Sequence, residues 1–197
     1  LPSDLIRNFL FLRASTGDDE TRPEKLYQKY WEPFDKSMVP DTATRFWHVE
    51  ERQGRYKRPR IDLFVFHYLT MVTEKEIVIT ELFREFRRWV DEQKADVEEV
   101  LSGLHRASAH FANLIAPVGN GRTDVFARRL KSLDTSTVYP VLLFLAGLPQ
   151  AALSDAQRAD IVTMLESYLV RRQVCGANTK NYNRFFLVFA PHTCRRT

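Results

Sequence analysis

Apolar side chains recur every three or four positions along almost the whole chain, the spacing that keeps one face of an α-helix dry. Leu5, Phe9, Leu10 and Leu12 mark a first short helix, followed by a polar loop through Gly17, Asp18 and Asp19. Thr21 stands three before Glu24, with Pro23 in what would be the first turn, so the spacing predicts a capping box. Leu26, Tyr27, Tyr30, Trp31 and Phe34 give the helix behind it one broad apolar face. A loop through Pro40 and Asp41 leads to Phe46, Trp47 and Val49. The basic, turn-prone patch GRYKRPR, Gly54 to Arg60, then interrupts before an apolar helix over Ile61–Met71.

The next segment is the cleanest amphipathic helix: Ile79, Leu82, Phe83, Phe86 and Val90 share one face, with Glu81, Arg84, Glu85 and Arg88 turned away. Val97, Val100, Leu101, Leu104, Phe111, Leu114 and Ile115 predict a long helix ending near Pro117 and Gly119. Val125, Phe126, Leu130 and Leu133 predict a shorter one. Thr137–Leu148 is almost wholly apolar, with Pro140 tolerable in the first turn, and reads as the central buried helix. Ser154 and Gln157 form a second capping box, opening a helix that carries Ile161, Met164, Leu165, Tyr168 and Leu169. A last helix is expected from Thr179 to Phe189. Only Thr70–Thr80 offers a rival strand, through Ile77, Val78 and Ile79, and one such run makes no sheet by itself. The pattern therefore predicts an all-α chain, a multi-helix array of about nine helices in a single domain over residues 1–197, with a subdivision point near residues 72–80.

Composition adds bounds rather than direction. At 197 residues, 44% apolar and 27% charged, the chain is an ordinary globular one, and its net charge of +4 permits nucleic-acid contact without requiring it. Cys175 and Cys194 have no CxxC spacing, which fits small buried thiols in a reduced, cytoplasmic protein. No apolar run reaches the roughly 18 residues of a membrane span, and LPSDLIRN has no secretory leader character. Opening at Leu1-Pro2 without methionine, the sequence reads as a fragment of a larger multidomain protein, so missing chemistry is expected to reside elsewhere in that parent.

The catalytic motifs are missing one after another. There is no HExxH, and His105 and His110, five apart, point about 140° from each other on a helix. His48 and His192 have no ligand set around them, so no metal is expected. GxxxxGK[ST], GxGxxG and GxSxG are all absent, and Gly119-Asn120-Gly121-Arg122 is a turn. Basic residues are the remaining lead: Arg55, Lys57, Arg58 and Arg60; Arg84, Arg87 and Arg88; Arg128, Arg129 and Lys131; Arg171, Arg172, Lys180 and Arg184. An arginine fork suits phosphate, although Arg84 and Arg88 sit among carboxylates. At the last cluster, Arg172 continues the apolar stripe, Arg171 lies about 100° around, within reach of solvent or a carboxylate, and Gly176 suits the left-handed position that ends a helix.

Four blocks carry a resemblance. DLIRNFLFLR from Asp4 to Arg13, KLYQKYWEPFD ending at Asp35, YPVLLFLAG from Tyr139 to Gly147 and LESYLVRRQVCGANTKNYNRFF from Leu165 to Phe186 resemble the helical region (domain of unknown function 262) of the GmrSD-type restriction endonucleases. The resemblance makes Asp4, Arg7, Asn8, Arg171, Arg172, Cys175, Gly176, Thr179, Asn183 and Phe186 family-signature positions. It implies a parent with a ParB-like domain and an HNH-like domain as partners of this segment, using a nucleoside triphosphate and a divalent metal to cut modified foreign DNA. The ParB-like aspartate-glycine-glutamine-glutamine-arginine motif is not in this sequence, and Pro191-His192 does not complete an HNH-like pair.

Three functions follow as expectations. The first is a noncatalytic helical scaffold or linker of a DNA-restriction defence protein, with no cofactor of its own. The alternative is a direct DNA-binding module using Arg55, Lys57, Arg58, Arg60, Arg171, Arg172, Lys180 and Arg184. The weakest is a complete enzyme with a site assembled from Asp4, Arg7, His105 or His192.

Overall fold

A computed structural model describes residues 1–16, 19–53, 56–133 and 135–176. The architecture is all-α, as the periodicity predicts, apart from one small hairpin. The chain divides into two compact units: Leu1–Arg52, Tyr56–Thr73 and Ile77–Arg106 form the first, while residues 107–176 belong to the second together with Gln53 and Glu74–Glu76.

In the first unit, α1 (Pro2–Ala14) buries Ile6, Leu10 and Ala14, spaced by four on one face. Its N-terminus is capped from a distance: the fully buried Asp62 carboxylate accepts the Ser3 backbone N–H at 3.1 Å. An acceptor there meets one of the orphan donors of the helix's first turn. The chain continues through α2 (Arg22–Leu26), a π-turn (Tyr27–Trp31) and α3 (Glu32–Lys36). The π-turn lies just before Pro33, which has no N–H to give to the carbonyl four residues back and whose ring crowds it. Widening the turn relieves both problems while Leu26, Tyr30, Trp31 and Phe34 remain buried on the predicted face.

The capping box expected at Thr21 does not form. Thr21 turns its N–H and hydroxyl back to Asp19 Oδ1, at 2.9 and 2.6 Å, so nothing caps the helix start through its side chain. Phe34 instead leads into an aromatic cluster with Trp47 of the 3₁₀ turn Phe46–His48 and with Phe64, at centroid distances of 5.0 and 5.8 Å.

Within the patch expected only to turn, Tyr56–Pro59 is a strand, β2, which pairs with β1 (Glu50–Gln53) as a hairpin. Helix α4 (Arg60–Thr73) is buried nearly all round and forms the centre of this unit. The Thr70–Thr80 rival strand does not form: the segment finishes α4, and Ile79–Glu81 is a 3₁₀ turn. Helix α5 (Leu82–Gln93) then buries Leu82, Phe86 and Val90 completely. Helix α6 (Val97–Ile115) carries the chain from one unit to the other, with its predicted apolar residues buried along its length.

In the second unit, α8 (Tyr139–Gly147) is the buried central helix that Thr137–Leu148 predicts, with Pro140 in its first turn. It lies between α7 (Arg122–Leu133) and α9 (Asp155–Val174) in sequence. Ser154 caps α9 with the reciprocal Gln157 contacts that the box requires. The Arg158 guanidinium donates to the carbonyls of Leu145 and Leu148, filling acceptors left over at the α8 C-terminus, and to that of Leu153 just before α9.

Two expectations for α9 are corrected. Its buried face is Val162, Leu165, Glu166 and Leu169, and Met164 is 63% exposed rather than part of the apolar stripe. Cys175 is an exposed free thiol, not a buried one, because it sits at the helix exit beside Gly176. That glycine has φ +62, the left-handed conformation expected of it. The helix expected over Thr179–Phe189 lies outside the described residues, as does Cys194.

Candidate functional site

Among the described residues, several arginines of the basic clusters turn to partners of their own. In the first, Arg60 is a structural residue: it is 9% exposed, its Nε and Nη2 reach Glu51 Oε1 at 3.0 and 2.6 Å, and its guanidinium lies 4.4 Å over the Phe46 ring. It ties α4 to β1 and the 3₁₀ turn and cannot face a nucleic acid. Lys57 pairs across the hairpin with Glu50 at 2.8 Å, and Arg58 is partly exposed. On α5, Arg84 pairs with Glu81 and Glu85, Arg88 with Glu85 and Glu92, and Arg87 with Asp91. That face is close to neutral.

On α7 the adjacent arginines diverge. Arg128 turns to the Gly119 carbonyl and Asn120, at 2.7 and 3.4 Å, and closes the Gly-Asn-Gly turn. Arg129 reaches Glu166 of α9 at 3.1 Å, where Arg122 also donates. Glu166 is 8% exposed. Burial raises its carboxyl, but the hydrogen bonds from Arg122 and Arg129 outweigh that, and it lies below the usual carboxylate range. Sequence reasoning missed Glu166, which occupies a buried position on a helix read as carrying only apolar anchors.

Among the signature positions, Asp4 and Arg7 enter one polar cluster in the first unit. Asp35 is its centre. It accepts the Tyr27 hydroxyl at 2.9 Å, with Arg7 Nη1 at 3.7 Å and His48 Nε2 at 3.9 Å, while Arg7 also approaches Asp4 at 4.0 Å. Burial first, then the hydrogen bond to Asp35, raises the Tyr27 phenol. The cluster joins α1, α3 and the Phe46–His48 turn around one carboxylate, and its opposed charges turn on each other. Asn8 is exposed on α1.

The enzyme reading assembled its site from Asp4, Arg7, His105 or His192, of which His192 lies outside the described residues. Instead His105 packs edge-on against Tyr30, at 6.0 Å, while Arg7 turns to Asp35 and Asp4 to the N-terminal ammonium and Arg7. His67 of α4 is fully buried, and desolvation pushes it down to about 3. His110 is lowered by burial and by nearby Arg158. Among the described residues no group of three or more His, Cys, Asp or Glu could hold a metal ion. No helix among them is long and apolar enough to cross a membrane.

At the end of α9, Arg172 donates to the Tyr168 hydroxyl at 3.2 Å and lies 5.6 Å from that ring's centroid, while Arg171 is exposed. Met164, Ser167, Tyr168, Arg171 and Arg172 line an open hollow of about 270 Å³ on this helix. Arg55, Lys180, Arg184, Thr179, Asn183, Phe186 and His192 lie outside the described residues. No family model matches the chain, and no curated protein or solved structure matches it either.

Proposed function

We propose that this chain is a noncatalytic helical scaffold of a DNA-restriction defence protein. In this reading the parent is cytoplasmic and bears the ParB-like and HNH-like domains that the sequence resemblance implies. The observation that carries the scaffold reading is the use of arginine. Arg60, Arg122, Arg129 and Arg158 are cross-braces between elements, and α5 balances its own arginines with carboxylates. A phosphate-tracking surface needs arginines turned outward and unopposed. A surface built of braces instead fixes the helices relative to their neighbours, which is what a module transmitting between two active domains requires.

The DNA-binding reading keeps Arg58, Arg171 and Arg172 among the described residues. Fluorescence anisotropy with a labelled duplex at about 50 mM and about 200 mM salt separates the two. The scaffold reading expects no saturable binding at low salt. Micromolar or tighter binding that weakens roughly 40-fold across that range, as three phosphate contacts would give, replaces it with a DNA-binding module. The reading frame of the parent supplies a second test: absence of both an upstream nucleotide motif and a downstream HNH-like pair defeats the restriction assignment.

A further inference from the structure

Helix α9 presents an outward stripe as ordered as its buried one. At 100° per residue, Asp160, Met164, Ser167, Arg171 and Val174 fall within an arc of about 80°. The buried Val162, Leu165 and Leu169 take the other side. Met164 and Val174 are 63% and 81% exposed, large apolar side chains left in water. Asp160 and Arg171 are exposed and form no ion pair with a described residue. The stripe is acidic toward its N-terminal end, basic toward its C-terminal end and apolar between.

We propose that α9 is a self-association seam, pairing antiparallel with α9 of a second copy. Two independent features set the same register. The first is charge. A helix with Asp160 at one end of its stripe and Arg171 at the other is complementary to itself only when the second copy runs in reverse, where each Asp160 meets the other copy's Arg171. A parallel pair would set like against like. One twofold axis makes both ion pairs at once, the self-complementary arrangement a symmetric dimer uses.

The second feature is shape. Pairing position 160 with position 171 of the other copy places Met164 opposite Ser167. Ser167 belongs to the hollow lined by Met164, Ser167, Tyr168 and Arg171, with Arg172 at its edge. Residues spaced i, i+3, i+4 and i+7 are the four sides of a hole in helix–helix packing, and the side chain that fills such a hole is the knob facing its centre. In this register the knob is Met164 of the second copy, a flexible side chain suited to filling an irregular gap. The small Ser167 leaves the space it needs. An acidic partner protein would account for Arg171 but leave Asp160 facing a like charge, so a second copy is the occupant that matches both charges and fills the hollow between them.

Sedimentation of the full chain over a concentration series tests this. A seam one helix wide gives a weak dimer, with Kd on the order of 10 to 100 µM. Asp160→Arg and Arg171→Asp each create two like-charge contacts in the symmetric dimer and are expected to weaken it about tenfold or more. The double variant exchanges the charges and is expected to return to within about threefold of the parent chain. Both positions are exposed, so circular dichroism should show all three variants folded. A chain that remains monomeric at about 300 µM overturns the proposal, well above the expected Kd range. So does a double variant no better than the single ones, because it removes the register that Asp160 and Arg171 define.

Discussion

Glu166 is the sharpest place to perturb the brace on which the scaffold reading stands. Its side chain is 11% exposed, Arg122 is 27% exposed and Arg129 is 62% exposed. The two arginines therefore contribute unequally. The Arg122 contact is mostly shielded from water, and a hydrogen bond to a charged group in such a place contributes about 1.5–3 kcal/mol. The Arg129 contact is screened by solvent and contributes about 0.5 kcal/mol. Glu166→Ala also leaves Arg122 facing a cavity in place of its counter-charge. The expected loss is about 2–3 kcal/mol, below the full cost of orphaning a deeply buried ion because Arg122 retains some water.

Urea unfolding at low salt, followed by circular dichroism, measures this loss without screening the ion pairs. With a slope of about 2 kcal/mol per molar urea, the midpoint should fall by about 1 M. Glu166→Gln keeps the shape and one acceptor, and should lose about half as much. The pH dependence has a definite sign. Because the folded carboxyl is held below its unfolded value, the stabilisation is complete above the unfolded pKa of about 4.3 and disappears as pH falls through the lowered folded value. The gap between the parent chain and Glu166→Gln should therefore narrow from pH 6 toward pH 3. A Glu166→Ala variant within about 0.5 kcal/mol of the parent at pH 7 would refute the brace, and so would a gap that widens in acid.

His67 supplies the opposite kind of test, since it is buried neutral. Depressed to about 3 in the fold, it favours the folded state above the unfolded value near 6.5, and that contribution is lost as pH falls from there toward 3. The parent should lose about 2 kcal/mol between pH 7 and pH 5 by urea unfolding, a loss that His67→Leu largely abolishes; equal pH dependence in both chains would place the histidine in contact with water. At Gly103 in α6, an added Cβ would stand 2.5 Å from the Tyr68 hydroxyl oxygen. Gly103→Ala should therefore lower the melting temperature in spite of alanine's better helix propensity of about 1 kcal/mol, whereas in a Tyr68→Phe background the same change should be neutral or stabilising. A rise in melting temperature on Gly103→Ala alone would show the packing to be looser than the structure has it.

Most helices were legible because each relies on an apolar period that nothing nearby contradicts. Leu82, Phe86 and Val90 on α5 could hardly be buried in any other way. The misses are local competitions that the period does not encode. Thr21 and Ser154 have the same capping-box spacing, yet only Ser154 caps. Asp19 stands two residues before Thr21 and takes its hydroxyl and N–H, whereas Leu153 before Ser154 offers no such acceptor. The hairpin escaped because its strands do not alternate apolar and polar. It carries cross-strand charge instead, Lys57 with Glu50, and Arg60 reaches back to Glu51. On α9 the inward place beside Leu165 goes to Glu166 because two arginines of α7 bring a counter-charge to it, and Met164 is left outside.

That last exchange explains why apolar burial was legible in the sequence and charge partners were not. An apolar residue needs only a dry face, and a helix supplies one to every residue sharing its stripe. A charged residue needs a partner, and the partner lies at a distance the local sequence does not record: 44 residues from Arg122 to Glu166 and 37 from Arg129. Neighbours such as Arg128 and Arg129 leave the helix about 100° apart, so one closes a turn while the other braces a second helix. A run of basic letters is thus evidence of basic surface only after the carboxylates have been placed. For this chain that placement buries Arg60 against Glu51 and sets carboxylates beside the α5 arginines, and it leaves Arg171 exposed on a stripe whose own opposite charge is Asp160 on the same helix. Under the antiparallel pairing proposed above, Asp160 of a second copy is the charge that Arg171 meets.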